Sequence, residues 1–163
     1  MYKINDYVIY RHNVCMIKDI KENARLGKEY YVMNPVFDTS LTIDVPVENK
    51  MGLLRDVIDS YTAKELIKNI VNIEPLSDVN ERYLEAKYKE LLNNGSHESL
   101  IKIIKTTYLR NKNRINNKKK ISEKDNDYFN LAEKYLYNEL SISLDMTVQE
   151  VKDYIFKVVN NEK

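Results

Sequence analysis

Over the first 45 residues the apolar positions come in short β-branched and aromatic bursts, whereas from residue 77 onward they recur at spacings of three and four. The bursts are Tyr7–Tyr10, Val14–Ile20, Lys28–Met33 and Leu41–Val45, and such composition predicts strands. Asn5-Asp6, His12-Asn13, Leu26-Gly27-Lys28 and Asn34-Pro35 supply turn chemistry between them. Four short strands without crossover helices predict an antiparallel meander that curls into a small barrel and so protects its edges. Pro46 ends the last of them, because it has no N–H to give a ladder.

After Pro46 the period changes. Met51–Ile58 reads as a short helix, and Thr62–Ile70 as another with Thr62 as N-cap and Glu65 in capping-box spacing. Asn72–Ser77 reads as a linker. Asn80–Asn93 then carries an apolar stripe of Leu84, Tyr88, Leu91 and Leu92, closed by Asn94-Gly95-Ser96. Ser96–Arg114 points Leu100, Ile103, Ile104 and Tyr108 inward. Ser122 caps a helix running through Tyr128, Leu131, Tyr135 and Leu136 toward Leu140. Thr147 caps the last, with Val151, Tyr154, Ile155 and Val158 inward. The stripes read as core, and the helices as a compact bundle. The expected class is α+β: a small N-terminal barrel (1–50), connecting helices and linker (51–76), and a C-terminal all-α bundle (77–163).

Charge adds what periodicity does not show. The chain holds 26 basic and 25 acidic side chains, yet eight cations stand between Glu98 and Glu123 with no acid among them. They are Lys102, Lys105, Arg110, Lys112, Arg114, Lys118, Lys119 and Lys120. Residues 1–75 carry a net −1 and residues 76–163 a net +2, so the excess is local. Nucleic-acid phosphates are the partner such a run most simply explains, and a solvated loop is the alternative. Thirteen Tyr and no Trp suggest rings half-buried at surfaces and seams.

Little in the sequence points to catalysis. The single cysteine, Cys15, lies in an apolar stretch and reads as a small buried hydrophobe; it permits no intramolecular disulfide, which fits a cytoplasmic protein. His12 and His97 fall in different expected domains, and a metal site needs three or four converging ligands. There is no glycine-rich phosphate loop and no nucleophile elbow. No stretch reaches the ~20 apolar residues of a membrane span, and the N-terminus lacks a signal-peptide core. The chain reads as a binding module rather than an enzyme, with no cofactor and no membrane partner, and as a monomer.

Several segments together resemble the CarD/CdnL family of bacterial transcription regulators. They are Tyr2-Lys3-Ile4-Asn5-Asp6-Tyr7-Val8-Ile9-Tyr10, Val14–Ile20, Tyr30-Tyr31-Val32, Leu41-Thr42-Ile43-Asp44-Val45-Pro46-Val47-Glu48-Asn49 and Met51–Arg55. Arg82, Ala86 and Leu91-Leu92-Asn93-Asn94-Gly95 continue the likeness into the helical part. The resemblance implies a Tudor-like domain that docks on the β subunit of RNA polymerase, and a helical domain that contacts promoter DNA and stabilises the open complex. On the polymerase side it implies Lys21, Arg25, Thr42, Asp44 and Pro46. On the DNA side it implies Asn80, Arg82 and Tyr83, which join Lys105, Arg110, Lys112, Arg114, Lys118, Lys119, Lys120 and Lys124.

Three departures from the family pattern shape these expectations. The first turn has His12-Asn13 where relatives place a Gly, so Asn13 is expected to take the left-handed backbone. Asp44 stands where many relatives are basic, which shifts the polymerase grip toward Lys21 and Arg25. Relatives often carry a Trp wedge in the helical domain; here Asn80 aligns with it and Tyr83 lies close by. The protein is therefore expected to lean on phosphate contacts, with low sequence specificity. An adaptor that binds polymerase but uses its helical domain on protein is the alternative.

Overall fold

The computed structural model describes residues 1–161. The chain divides into two units, Met1–Asp59 and the residues from Ser60 onward. Segment 51–76, expected as a connector, is split between them.

The first unit is one antiparallel sheet. Strands β1 (Tyr7–Tyr10), β2 (Asn13–Asn23), β3 (Lys28–Pro35), β4 (Ile43–Pro46) and β5 (Leu54–Asp56) lie in the order β4-β3-β2-β1-β5. A two-residue turn joins β1 to β2, and both of its residues, Arg11 and His12, have positive φ (47° and 71°). That is a mirror-image turn, whose twist matches the strands it joins. Asn13 is not the left-handed residue expected from the sequence; it already pairs with Tyr10 in β2. In β2 the register shifts between Ile17 and Asp19, so Lys18 is an extra residue opposite β3. The bulge lets Ile17 and Ile20 turn to the same side.

That side holds the core of the unit. Val8, Cys15, Ile17, Tyr31, Met33, Val45 and Leu54 are buried together, with Tyr2, Tyr10, Ile20 and Ile43 packed against them. Each fully buried aliphatic side chain contributes roughly 1.5–3 kcal/mol relative to exposure. The Tyr31 hydroxyl accepts from the Tyr2 backbone N–H (2.9 Å), and the Tyr2 hydroxyl donates to Asp56 Oδ1 (2.8 Å). The Tyr2 backbone is thereby tied to the Tyr31 ring, and the Tyr2 ring to the end of β5.

Residues 51–58 do not form the helix expected of them. Leu54–Asp56 is instead a strand that pairs with β1 and buries Leu54. Its other edge is closed by a side chain: Asn49 Nδ2 donates to Leu54 O (2.8 Å), and Leu54 N donates to Asn49 Oδ1 (3.1 Å). The carboxamide thus acts as one more residue of ladder.

The second unit contains α1 (Ser60–Asn69), a 3-10 turn (Ile70–Asn72), α2 (Glu81–Asn94), α3 (His97–Asn116), α4 (Glu123–Leu144) and α5 (Val148–Asn161). Thr62 lies inside α1 rather than capping it. The remaining caps are side chains short enough to reach back to the first turn. Asn80, Ser96 and Ser122 accept from the N–H groups of Arg82, Ser99 and Asp125. Thr147 and Glu150 form a reciprocal capping box, each side chain bonded to the other's N–H at 3.1 Å. Gly95, Lys118 and Asp145 take the left-handed conformation just past α2, α3 and α4.

Helix α3 packs between α2 and α4, and α4 also contacts α1 and α5. Leu84, Tyr88, Leu100, Ile103, Ala132, Leu136, Leu140 and Val151 form the buried side of this packing. The expected inward stripe of α3 is corrected at one place: Tyr108 is 54% exposed, and Thr106 and Thr107 are buried instead. Their hydroxyls bond back to Lys102 O and Ile103 O, both at 2.7 Å. With the hydroxyl satisfied by its own helix, each Thr presents a methyl group to the core.

Candidate nucleic-acid interface

The basic run divides by geometry into cations that hold the helical unit together and cations that face outward. Lys105 belongs to the first kind. From the middle of α3 its ammonium donates to Ile70 O and, at 2.6 Å, to Ile73 O. These carbonyls lie in and just past the 3-10 turn that follows α1, where Ile70 O also accepts from Ile73 N at 3.1 Å, and a Lys is well suited to cap them. Burial pushes the Lys105 pKa down, with the Glu74 carboxylate opposing. The ammonium is thus engaged within the helical unit.

Arg110 is engaged in the same way. Its Nε donates to Asp125 Oδ2 (2.9 Å) and its Nη2 to Glu81 Oε1. Asp125 is 2% exposed, and its other oxygen accepts from the Tyr88 hydroxyl at 3.0 Å. One carboxylate at the start of α4 thus joins α2 and α3. Such a charge is tolerated in the interior because it is paired and hydrogen-bonded. The hydrogen bond from Arg110 holds the Glu81 carboxyl below its ordinary range. Lys124 is exposed but engaged, 2.7 Å from Glu85 Oε2, and Lys102 lies 3.9 Å from Glu98.

The outward group is Lys112, Arg114, Lys118, Lys119 and Lys120. None of them forms a salt bridge among the described residues. They gather at the C-terminal end of α3 and in the turn that follows. The turn is built by backbone: Lys118 N donates to Ile115 O (3.0 Å) and Lys119 N to Arg114 O (2.8 Å). Asn111 pins its far side, accepting from Ser122 N (2.8 Å) and donating to Ser122 O (3.3 Å). Cations here also complement the negative end of the α3 dipole, so the fold itself gains from them. The result is three successive lysines presented on a fixed loop.

Asn80 and Tyr83 sit at the start of α2. Asn80 spends its side-chain oxygen on the helix cap, accepting from Arg82 N at 3.0 Å. Tyr83 is 61% exposed, so it is not core. Arg82 is exposed beside it. Arg114 and Lys119 join Glu81, Arg110, Asn113 and Asn117 around a small open cavity of about 190 Å³.

In the first unit the register collects a second group. Lys21 pairs across to Tyr30 and on to Pro46, while Asp19 pairs to Val32 and on to Asp44. All six therefore share the sheet face opposite the core. Lys21, Tyr30, Val32 and Asp44 line an open groove of about 520 Å³. Arg25 lies in the β2–β3 loop at the Lys21 end, its N–H bonded to Asn23 Oδ1 (3.0 Å). Thr42 precedes β4 and accepts weakly from Asn34 Nδ2 (3.4 Å). Strand β4 is an edge strand, with β3 on one side only.

Neither histidine converges on metal ligands. His97 Nε2 lies 2.9 Å from the buried Glu139 carboxylate across α3 and α4. Among the described residues no group of three or more His, Cys, Asp or Glu could hold a metal ion. Cys15 is buried, and burial pushes its thiol up to about 11. No helix among the described residues is long and apolar enough to cross a membrane. Tyr108 and Phe129, a tilted aromatic pair with ring centroids 6.5 Å apart, were not among the expected site residues, because Tyr108 read as core. No family model and no curated protein matches the chain.

Proposed function

We propose that this protein is a bacterial, cytoplasmic transcription regulator of the CarD/CdnL type, a binding module rather than an enzyme. Its sheet unit would act as a Tudor-like barrel that docks on the β subunit of RNA polymerase. Its helical unit would contact promoter DNA through phosphates and stabilise the open complex. The observation that carries the DNA reading is the set of cations Lys112, Arg114, Lys118, Lys119 and Lys120, which form no salt bridge to a described residue and gather around a fixed turn. A docking partner for the sheet unit has two features to use: the edge of β4, and the outward face of Lys21, Tyr30, Asp44 and Pro46. Edge strands recruit partners through main-chain hydrogen bonds, and a face of mixed charge sets the register.

A second reading is favoured by one observation. Lys105, Arg110 and Lys124 are engaged inside the helical unit, which leaves fewer cations for DNA than the sequence suggests. On that reading the helical unit binds protein. Salt dependence separates the two. Five phosphate contacts give a log–log slope of about −4.5 for duplex DNA, because each releases about 0.9 counterion. A flat slope contradicts the DNA reading and leaves the adaptor.

A further inference from the structure

A compact apolar depression of about 280 Å³ opens between the C-terminal half of α3 and the start of α4. Tyr108 and Phe129 line it as a tilted aromatic pair, their centroids 6.5 Å apart and their planes 30° from each other. Ile115 and Ile121 complete the apolar wall, and both are exposed, at 60% and 38%. Lys112 Nζ lies 5.9 Å from the Tyr108 ring centroid. No carboxylate lines the depression. The Asn126 carboxamide at its side makes no hydrogen bond to any other described residue.

We propose that this depression seats an unstacked base of single-stranded nucleic acid, with the flanking phosphates on Lys112 and the Lys118–Lys120 turn. The inference rests on the DNA reading above and names the form of nucleic acid that its helical unit prefers. Single-strand sites combine aromatic platforms with a positive track, since every base has a face to stack and every nucleotide a phosphate. Both halves are adjacent here: Lys120 is followed directly by Ile121 of the depression. The free amide of Asn126 offers a donor and an acceptor to a base edge. The positive charge around the depression disfavours a basic partner. An acidic amphipathic helix matches the charge but not the shape, because its anchors spread over two turns and need an elongated groove.

The test is the binding of a labelled oligodeoxythymidylate and of a mixed-sequence duplex to the full chain at low salt, followed by fluorescence anisotropy. Variants are Tyr108→Ala, Tyr108→Phe and the triple charge reversal of Lys118, Lys119 and Lys120 to Glu. Tyr108 is largely exposed, so its replacement leaves the fold intact; circular dichroism checks this. The expected result is tighter binding of the single strand than of the duplex. Tyr108→Ala should weaken the single strand about tenfold, as the loss of one stacked base does. Tyr108→Phe should restore it, duplex binding should not change, and the triple reversal should weaken both. Equal affinity for strand and duplex, or indifference of the single strand to Tyr108→Ala, overturns this inference and leaves the phosphate reading standing. No binding to either overturns both. Binding of an acidic amphipathic peptide that Tyr108→Ala abolishes, with no such effect on the single strand, assigns the depression to a protein partner and overturns it as well.

Discussion

Lys105 and Lys112 look alike in the sequence, and so do Arg110 and Arg114, yet Lys105 and Arg110 are bonded within the helical unit whereas Lys112 and Arg114 make no salt bridge to a described residue. Their partners decide this, and those partners are remote: Ile70 and Ile73 for Lys105, Glu81 and Asp125 for Arg110. Charge patterning therefore located the basic region but could not sort it. Asp125→Ala strands a partly buried guanidinium and the Tyr88 hydroxyl, so it should cost about 3 kcal/mol in urea unfolding. Glu133 makes a second, pH-dependent case. Burial pushes its carboxyl up, opposed by Lys152 and by the Tyr137 hydroxyl. The folded protein thus holds that proton to higher pH than the unfolded chain, and ionisation above the carboxyl range weakens the fold. Glu133→Gln should stabilise at neutral pH, with the gain vanishing in acid, where the wild-type carboxyl is protonated in both states. Thermal melts across pH check this.

At the scale of elements, the strand bursts and the Ser122 and Thr147 caps were legible because their causes are local, whereas Thr62 fell inside α1 and the caps at Asn80 and Ser96 went unread. Asn80, Ser96, Ser122 and Thr147 mark helix starts by reaching no farther than three residues. Strand β5 was not legible: three residues carry no period, and only pairing with β1 and the Asn49 carboxamide make them a strand. Asn49→Ala leaves both backbone groups of Leu54 without that partner and should cost about 1–2 kcal/mol, read from denaturant midpoints. The β1–β2 turn offers the opposite case. Arg11 and His12 both occupy a left-handed conformation that suits Asn and Gly better. Replacing them by Asn-Gly should stabilise the protein by about 1–2 kcal/mol, with an unchanged unfolding slope. Tyr108 was misassigned for a reason of the same kind: buried threonines that satisfy their own hydroxyls are invisible to a hydrophobicity stripe.

For the whole molecule, the proposed function joins two weak contacts in one chain. Docking the sheet unit on polymerase would hold the helical unit near DNA at high effective concentration, so a modest affinity for free DNA suffices. Reversing the charge of Lys118, Lys119 and Lys120 should remove about 2.7 from the magnitude of the salt slope and lower the melting temperature only by the modest loss of favourable charge at the end of the α3 dipole. Arg110→Gln should do the reverse, lowering stability while sparing the slope, because that guanidinium is committed to Asp125 and Glu81. The most direct measurement is the lifetime of a promoter open complex formed by the cognate polymerase, without protein, with wild type, and with the Lys118–Lys120 reversal. The account expects wild type to lengthen the lifetime and the reversal to abolish the gain while binding to the β subunit persists. An unchanged lifetime with wild type bound to the β subunit, or an equal gain from the reversed variant, would contradict it.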